Sequence, residues 1–132
     1  MEIKENMYYG VGKVALAIAK ADGEINASEI EALKEITKET EEKLKVDLGL
    51  IYITFQYFKK YNDPIDQLVD EGIHNFHLGD DYLTPKLARS FRHLLVEIAK
   101  AQPPITEEED VALTKFLNYL ELRELEQAAN AQ

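Results

Sequence analysis

Two stretches of the chain read alike and stand a constant 80 residues apart: IAKADGEINASEIEALKEI at 18–36 and IAKAQPPITEEEDVALTKFL at 98–117. They align without a gap. Ile18, Ala19, Lys20, Ala21, Ile25, Glu29, Ala32 and Leu33 meet Ile98, Ala99, Lys100, Ala101, Ile105, Glu109, Ala112 and Leu113. Each copy reads as the end of one helix, a tight polar turn and the start of a second helix. In the first copy Asp22-Gly23 ends a helix, since Gly readily takes the left-handed backbone of a helix C-terminus. Asn26 and Glu29 then form a capping box that opens the next helix. In the second copy Pro103-Pro104 stops a helix, and Thr106 with Glu109 opens another. A helix pair that recurs at both ends of one chain predicts a pseudo-twofold packing of the pairs around whatever lies between them.

The other elements follow from periodicity and breakers. Tyr8, Val11, Val14, Ala15, Ile18 and Ala21 have helical spacing, which predicts a helix over 7–21. Ile30, Leu33, Ile36 and Thr40 are the buried stripe of the second helix, and Lys38 to Lys45 its solvated end. Residues 46–61 are apolar on nearly every side. The residue types Leu50-Ile51-Tyr52-Ile53-Thr54-Phe55 suit a strand, but the flanks are helical and no second strand is available to pair. This segment is expected to be a central buried helix. Asn62-Asp63-Pro64 breaks the chain, with Asn62 or Asp63 capping a short helix from Ile65 to about His74. A loop over 76–84 precedes Thr84-Pro85, an N-cap with Pro at N1, which opens a helix through Leu87, Phe91, Leu94, Leu95 and Ile98. The last helix runs from Glu107 to about Leu122, and residues 127–132 are expected to fray. The expected fold is all-α: one compact domain over 1–126 of about six helices, two pseudo-symmetric pairs around a central hydrophobic helix.

Composition bounds the function more than it defines it. The 132 residues suffice to bury a core, and no Cys is present, which excludes disulfides, thiolate metal sites and Cys nucleophiles. The N-terminus lacks the basic and apolar regions of a signal peptide, and no apolar run reaches a membrane span. A cytoplasmic location is expected. With 15 basic against 25 acidic residues the net charge is −10. Such a field repels nucleic acid and anionic membranes and attracts cations or basic protein surfaces. No Gly-rich phosphate loop and no Gly-x-Ser-x-Gly elbow occurs, so an enzyme is not expected.

The segment Lys20-Ala-Asp-Gly-Glu-Ile-Asn-Ala-Ser-Glu29 resembles the signature of the TerB-like family, in which a helix ending in ADG, an acid and an apolar residue precedes a helix bearing a Glu. The resemblance extends over nearly the whole chain through the second copy. It implies an all-α fold, an association with tellurite and other stress resistance, and an acidic turn that takes a divalent cation or a basic protein partner. By that resemblance Asp22, Glu24 and Glu29 are the site positions, joined by Glu108 and Glu109 of the second copy. There the chain departs from the pattern, because Gln102-Pro103-Pro104 stands in place of Asp-Gly-acid and removes two carboxylates. Capping alone accounts for Asn26 and Glu29, and leaves Asp22 and Glu24 without a structural role.

Two further readings of the carboxylates compete with this one. DGEINASE looks like the latter half of a calcium-binding EF-hand loop, but the loop would begin at Ile18 and place Lys20 where an oxygen ligand is required. Asp70, His74 and His77, spaced i, i+4, i+7, offer an alternative site for zinc or a related metal if the helix continues that far, with Asp80 and Asp81 following. The functional expectation is a non-enzymatic binding module with a protein partner, a homodimer being open. Its counterpart is a purely structural domain that associates through helix faces.

Overall fold

The computed structural model describes residues 2–21, 24–101 and 104–131. Over them the chain forms α1 (Glu5–Lys20), α2 (Ala27–Leu44), α3 (Gly49–Lys59), α4 (Ile65–Gly79), a 3-10 turn (Asp80–Tyr82), α5 (Pro85–Lys100) and α6 (Glu107–Asn130). Among the described residues there is no strand, and no helix is long and apolar enough to cross a membrane. The all-α architecture expected from the periodicity is the one observed.

Local chemistry sets three of the six helix starts. The Asn26 side chain accepts from the Glu29 N–H at 2.9 Å and Glu29 Oε1 accepts from the Asn26 N–H at 3.1 Å, a reciprocal capping box. Thr106 and Glu109 repeat it at 3.1 and 3.2 Å. Thr84 Oγ1 accepts from the Leu87 N–H at 3.1 Å, with Pro85 at N1. Helix α4 behaves differently: Pro64 occupies its N-cap position without a side-chain cap, so neither Asn62 nor Asp63 fills the role expected of it. Lys45, in the left-handed region at φ 57°, ends α2.

The helix at the centre is α1. Its residues 11–19 are all buried, and two and a half turns of continuous burial mean that every side of the helix is covered. It packs most extensively on α4 and α3, and also on α5 and α6. Close approach to α4 depends on two glycines. A Cβ on Gly10 would collide with the Gly72 carbonyl and stand 2.6 Å from the Phe76 nitrogen, and one on Gly72 would stand 2.7 Å from Val14 Cγ2. One charged group is accommodated inside this contact. Lys13 is buried, its ammonium bonded to Glu71 Oε2 at 3.1 Å and 4.8 Å from the Tyr9 and Phe58 ring centroids. That hydrogen bond holds the Glu71 carboxyl below its usual range.

The expectation that 46–61 forms the central helix is corrected accordingly. The segment is helical, but α3 lies on the outside of α1 and buries one face, with Ile51, Thr54 and Phe55 inward. Ile53 and Tyr57 are 62% and 51% exposed. A second correction concerns 74–84. Instead of leaving the helix near His74, α4 continues to Gly79, because Phe76 is fully buried against Phe91 and Phe116 with ring centroids at 5.9 and 5.2 Å. Helix α6 likewise outruns its expected end. Gln127 Nε2 donates to the carbonyls of Asp80 and Leu83 at 3.2 and 3.3 Å, so the segment expected to fray begins with an anchored residue.

The repeat survives in three dimensions. Helices α1 and α5 end at Lys20 and Lys100, where the Ala21 and Ala101 N–H groups donate to the Ile18 and Ile98 carbonyls at 3.3 and 3.2 Å. Packing exchanges partners as a twofold requires, α1 lying on α6 and α5 on α2. The symmetry breaks where α3 and α4 cover α1, for α5 touches α6 far more than α1 touches α2.

If the glycine contact sets the α1–α4 distance, Gly10→Ala should destabilise the protein by about 3 kcal/mol despite its gain of roughly 1 kcal/mol in helix propensity. Urea unfolding checks this, and a neutral or stabilised variant would contradict the packing described.

Candidate functional site

The two buried carboxylates of the repeat, Glu29 and Glu109, are 1% and 2% exposed, and each faces its own N-cap backbone. Thr106 Oγ1 adds a bond to Glu109 Oε1 at 3.1 Å. These groups complete helix starts inside the protein. Glu24 and Glu108 are exposed. Asp22, with the expected Asp22-Gly23 stop and the Gln102-Pro103 departure, lies outside the described residues.

The alternative set is divided among other partners. Since α4 extends to Gly79, Asp70, His74 and His77 do share a helix, yet Asp70 Oδ1 accepts from Lys115 Nζ at 2.5 Å and His74 is exposed. His77 Nδ1 lies 2.9 Å from Tyr119 Oη and 3.3 Å from Asp80 Oδ2. Among the described residues no three His, Asp or Glu side chains are disposed to hold a metal. Asp70, His74 and His77 thus lie on one helix, with Asp70 bonded to Lys115 and His77 to Tyr119 and Asp80.

What the structure does assemble beside the repeat is a groove. The end of α1 at Ala21, the start of α4 and the start of α6 enclose about 340 Å³. Ile65, Val69, Val111 and Ala112 give it an apolar lining, while Asp66, Glu107 and Glu108 bring carboxylates and Lys115 the one ammonium. Val111 is 58% exposed, an apolar side chain left facing solvent. Of the described carboxylates selected from the sequence (Glu24, Glu29, Glu108 and Glu109), only Glu108 lines this groove.

The repeat places an equivalent groove at the other pair. Ala27, Ser28, Glu31, Ala32 and Glu35 of α2 lie beside Ala101 at the end of α5, and each stands 80 residues before a lining residue of the first groove: Glu107, Glu108, Val111, Ala112 and Lys115. No helix corresponding to α4 lines the second groove, and Glu31 replaces Val111. Its apolar lining is limited to Ala27, Ala32 and Ala101, beside the carboxylates of Glu31, Glu35 and Glu97. One backbone pattern thus yields two grooves, both bearing carboxylates, of which the first has branched aliphatic side chains in its lining and the second only alanines.

A further cluster was not identified from the sequence. Asp80 is 1% exposed, and its carboxylate accepts from Tyr119 Oη at 2.6 Å, Arg123 Nε at 2.8 Å and Arg123 Nη2 at 3.0 Å. It ties the turn after α4 to α6. Tyr119, Arg123 and Gln127 recur at four-residue spacing along α6, and that polar stripe was the available signal. Burial, then the hydrogen bond to Asp80, raises the Tyr119 hydroxyl well above its ordinary value.

Two predictions follow from these geometries. Asn26→Ala and Thr106→Ala should each cost about 1 kcal/mol, whereas Glu109→Gln should cost clearly less, since Gln also completes a capping box; denaturant melts distinguish the three. For Tyr119 the folded pKa exceeds the unfolded one, so its contribution is complete below the unfolded value and is lost as pH rises above about 10. Stability measured across that range should fall less steeply in Tyr119→Phe than in the parent protein, and equal slopes would contradict the assignment.

Compared with family models, with curated proteins and with solved structures, the chain finds no match.

Proposed function

We propose that this chain is a non-enzymatic, TerB-like binding module of a stress-response or metal-resistance setting, and that it docks a basic segment of a protein partner in the groove between α1, α4 and α6. The observation that carries the reading is the pairing of the branched aliphatic side chains of Ile65 and Val111 with three carboxylates in that groove, where its symmetry-related counterpart offers only alanines beside its own carboxylates. An aliphatic partner side chain would cover Ile65 and Val111, and Lys or Arg groups would meet Asp66, Glu107 and Glu108. The net charge of −10 favours the approach of such a partner. Glu109 would support the site from behind by fixing the first turn of α6, without touching the ligand.

A second reading, association through a helix face with no role for the acidic turn, is favoured by α3, which leaves Ile53, Tyr57 and Tyr61 exposed at four-residue spacing. The two readings separate in one experiment. An amphipathic peptide of alternating Leu and Lys residues, titrated by fluorescence anisotropy, should bind more weakly as salt rises. Asp66→Lys with Glu108→Lys should weaken it at least about tenfold, the equivalent of roughly 1.4 kcal/mol, while Glu24→Lys should leave it nearly unchanged. Loss of binding in Tyr57→Lys, with the Asp66 and Glu108 variant unaffected, would move the site to α3.

A further inference from the structure

In a chain with ten more carboxylates than cations, a run of cationic groups without carboxylate partners calls for an explanation. Helices α2 and α5 pack together and leave a groove of about 400 Å³ at the C-terminal part of α2. Lys43 comes to it from α2, and Lys86, Arg89, Ser90 and His93 come from α5. The α5 residues are spaced i, i+3, i+4 and i+7, one face of the helix. Glu39 is the single carboxylate of the lining. Among the described residues, Lys43, Lys86 and Arg89 have no ion pair, as is true of other exposed lysines such as Lys38 and Lys59; what distinguishes the three is that they line one groove.

The placement of these cations also runs against helix stability. The first turn of α5 holds Lys86 and no acidic residue, although the positive end of the helix dipole favours carboxylates there. The corresponding turn of α6 holds four: Glu107, Glu108, Glu109 and Asp110. The other exposed group of lysines is already engaged, Lys20 donating to the Tyr61 carbonyl at 2.9 Å and Lys60 lying 4.7 Å from the Tyr57 ring centroid. The α2–α5 groove therefore gathers positive charge from two helices against one carboxylate, Glu39, among its described lining residues.

We infer that this groove binds a compact anion carrying two adjacent phosphoryl groups. Arg89 suits one of them, because its planar guanidinium donates two parallel hydrogen bonds to one phosphoryl group. Lys43 and Lys86 supply point charges to the other, and Ser90 supplies a hydroxyl donor. Compactness follows from the global charge. Beyond roughly 8 Å, about one Debye length at physiological salt, the cluster is screened, and a long polyanion would meet the acidic remainder of the surface. A free diphosphate and a bisphosphorylated lipid headgroup present the same chemistry to the groove.

The test is a backbone-amide NMR titration of the parent protein with inorganic pyrophosphate, with sodium chloride at matched ionic strength as control. The expected result is a saturable set of shifts confined to residues 39–44 and 85–93. Lys86→Ala and Arg89→Ala should each weaken the midpoint about tenfold, as expected for losing one charge-assisted hydrogen bond. Both residues are exposed and Ala is a strong helix former, so the variants retain the fold, and their unchanged remaining spectrum verifies it. Lys59→Ala should bind as the parent does. Phosphatidylcholine vesicles containing a bisphosphorylated inositol lipid separate the two sources. Binding at far lower phosphate concentration than pyrophosphate assigns the groove to a headgroup, and equal or weaker binding assigns it to a free anion. No saturable shift at millimolar pyrophosphate, the same shifts with chloride, or shifts that survive in both α5 variants would overturn the inference.

Discussion

The backbone contact between α1 and α4 at Gly10 and Gly72 is the constraint on which the other packing depends. A helix can be covered on all sides only if its neighbours come close, and here one neighbour comes close enough that a single methyl group would strike main-chain atoms. Main-chain atoms cannot rotate out of the way, so the helix spacing is fixed rather than adjustable. With α4 seated on one side of α1, α3 covers another, and α5 and α6 complete the enclosure. The small residues Gly10, Gly12, Ala15, Ala17 and Ala19 make α1 a slim central helix. The bulky packing comes from its neighbours through Phe55, Phe76, Phe91 and Phe116.

The same contact differentiates the two halves of the repeat. Both halves open their second helix with a capping box whose glutamate is consumed in holding the helix start. Helix α4 lies against only one of the resulting grooves and lends it Ile65 and Val69. Its pseudo-symmetric counterpart has no such helix, and alanines are its only apolar side chains. The repeat supplies two equivalent frames, and the middle of the chain turns one of them into an apolar, acid-lined groove. Charge follows a similar division, with carboxylates gathered in the first turn of α6 and unpaired cations along α5.

What was legible in the sequence was local. Asn26 with Glu29, Thr106 with Glu109, and Thr84 with Pro85 fix helix starts through contacts three residues apart, and such contacts need no tertiary information. The choice of central helix was not legible by the same means. Residues 46–61 outrank 7–21 in bulk and hydrophobicity, but centrality was decided by how near a neighbour can come, and the glycines at 10 and 12 were the signal of close packing within a helical pattern. The ends of α4 and α6 were misjudged for a related reason. Phe76 extends α4 through contacts with α5 and α6, and Gln127 holds α6 through carbonyls more than 40 residues away in sequence. Of the candidate site residues, Glu29 and Glu109 were recognisable as caps and Glu108 as an exposed acid. The cluster at Asp80 was obscured because Tyr119 and Arg123 lie about 40 residues beyond it in the chain.

Native-state hydrogen exchange of individual amides tests most directly whether α1 is the structural centre. Helix α1 is enclosed on every side, whereas α3 exposes one face, so the slowest exchange in the protein should fall within residues 11–19 and approach the global unfolding free energy. The amides of 49–59 should open through smaller, local fluctuations and exchange faster. Protection of 49–59 equal to or greater than that of 11–19 would contradict the account and return the central position to the more hydrophobic helix.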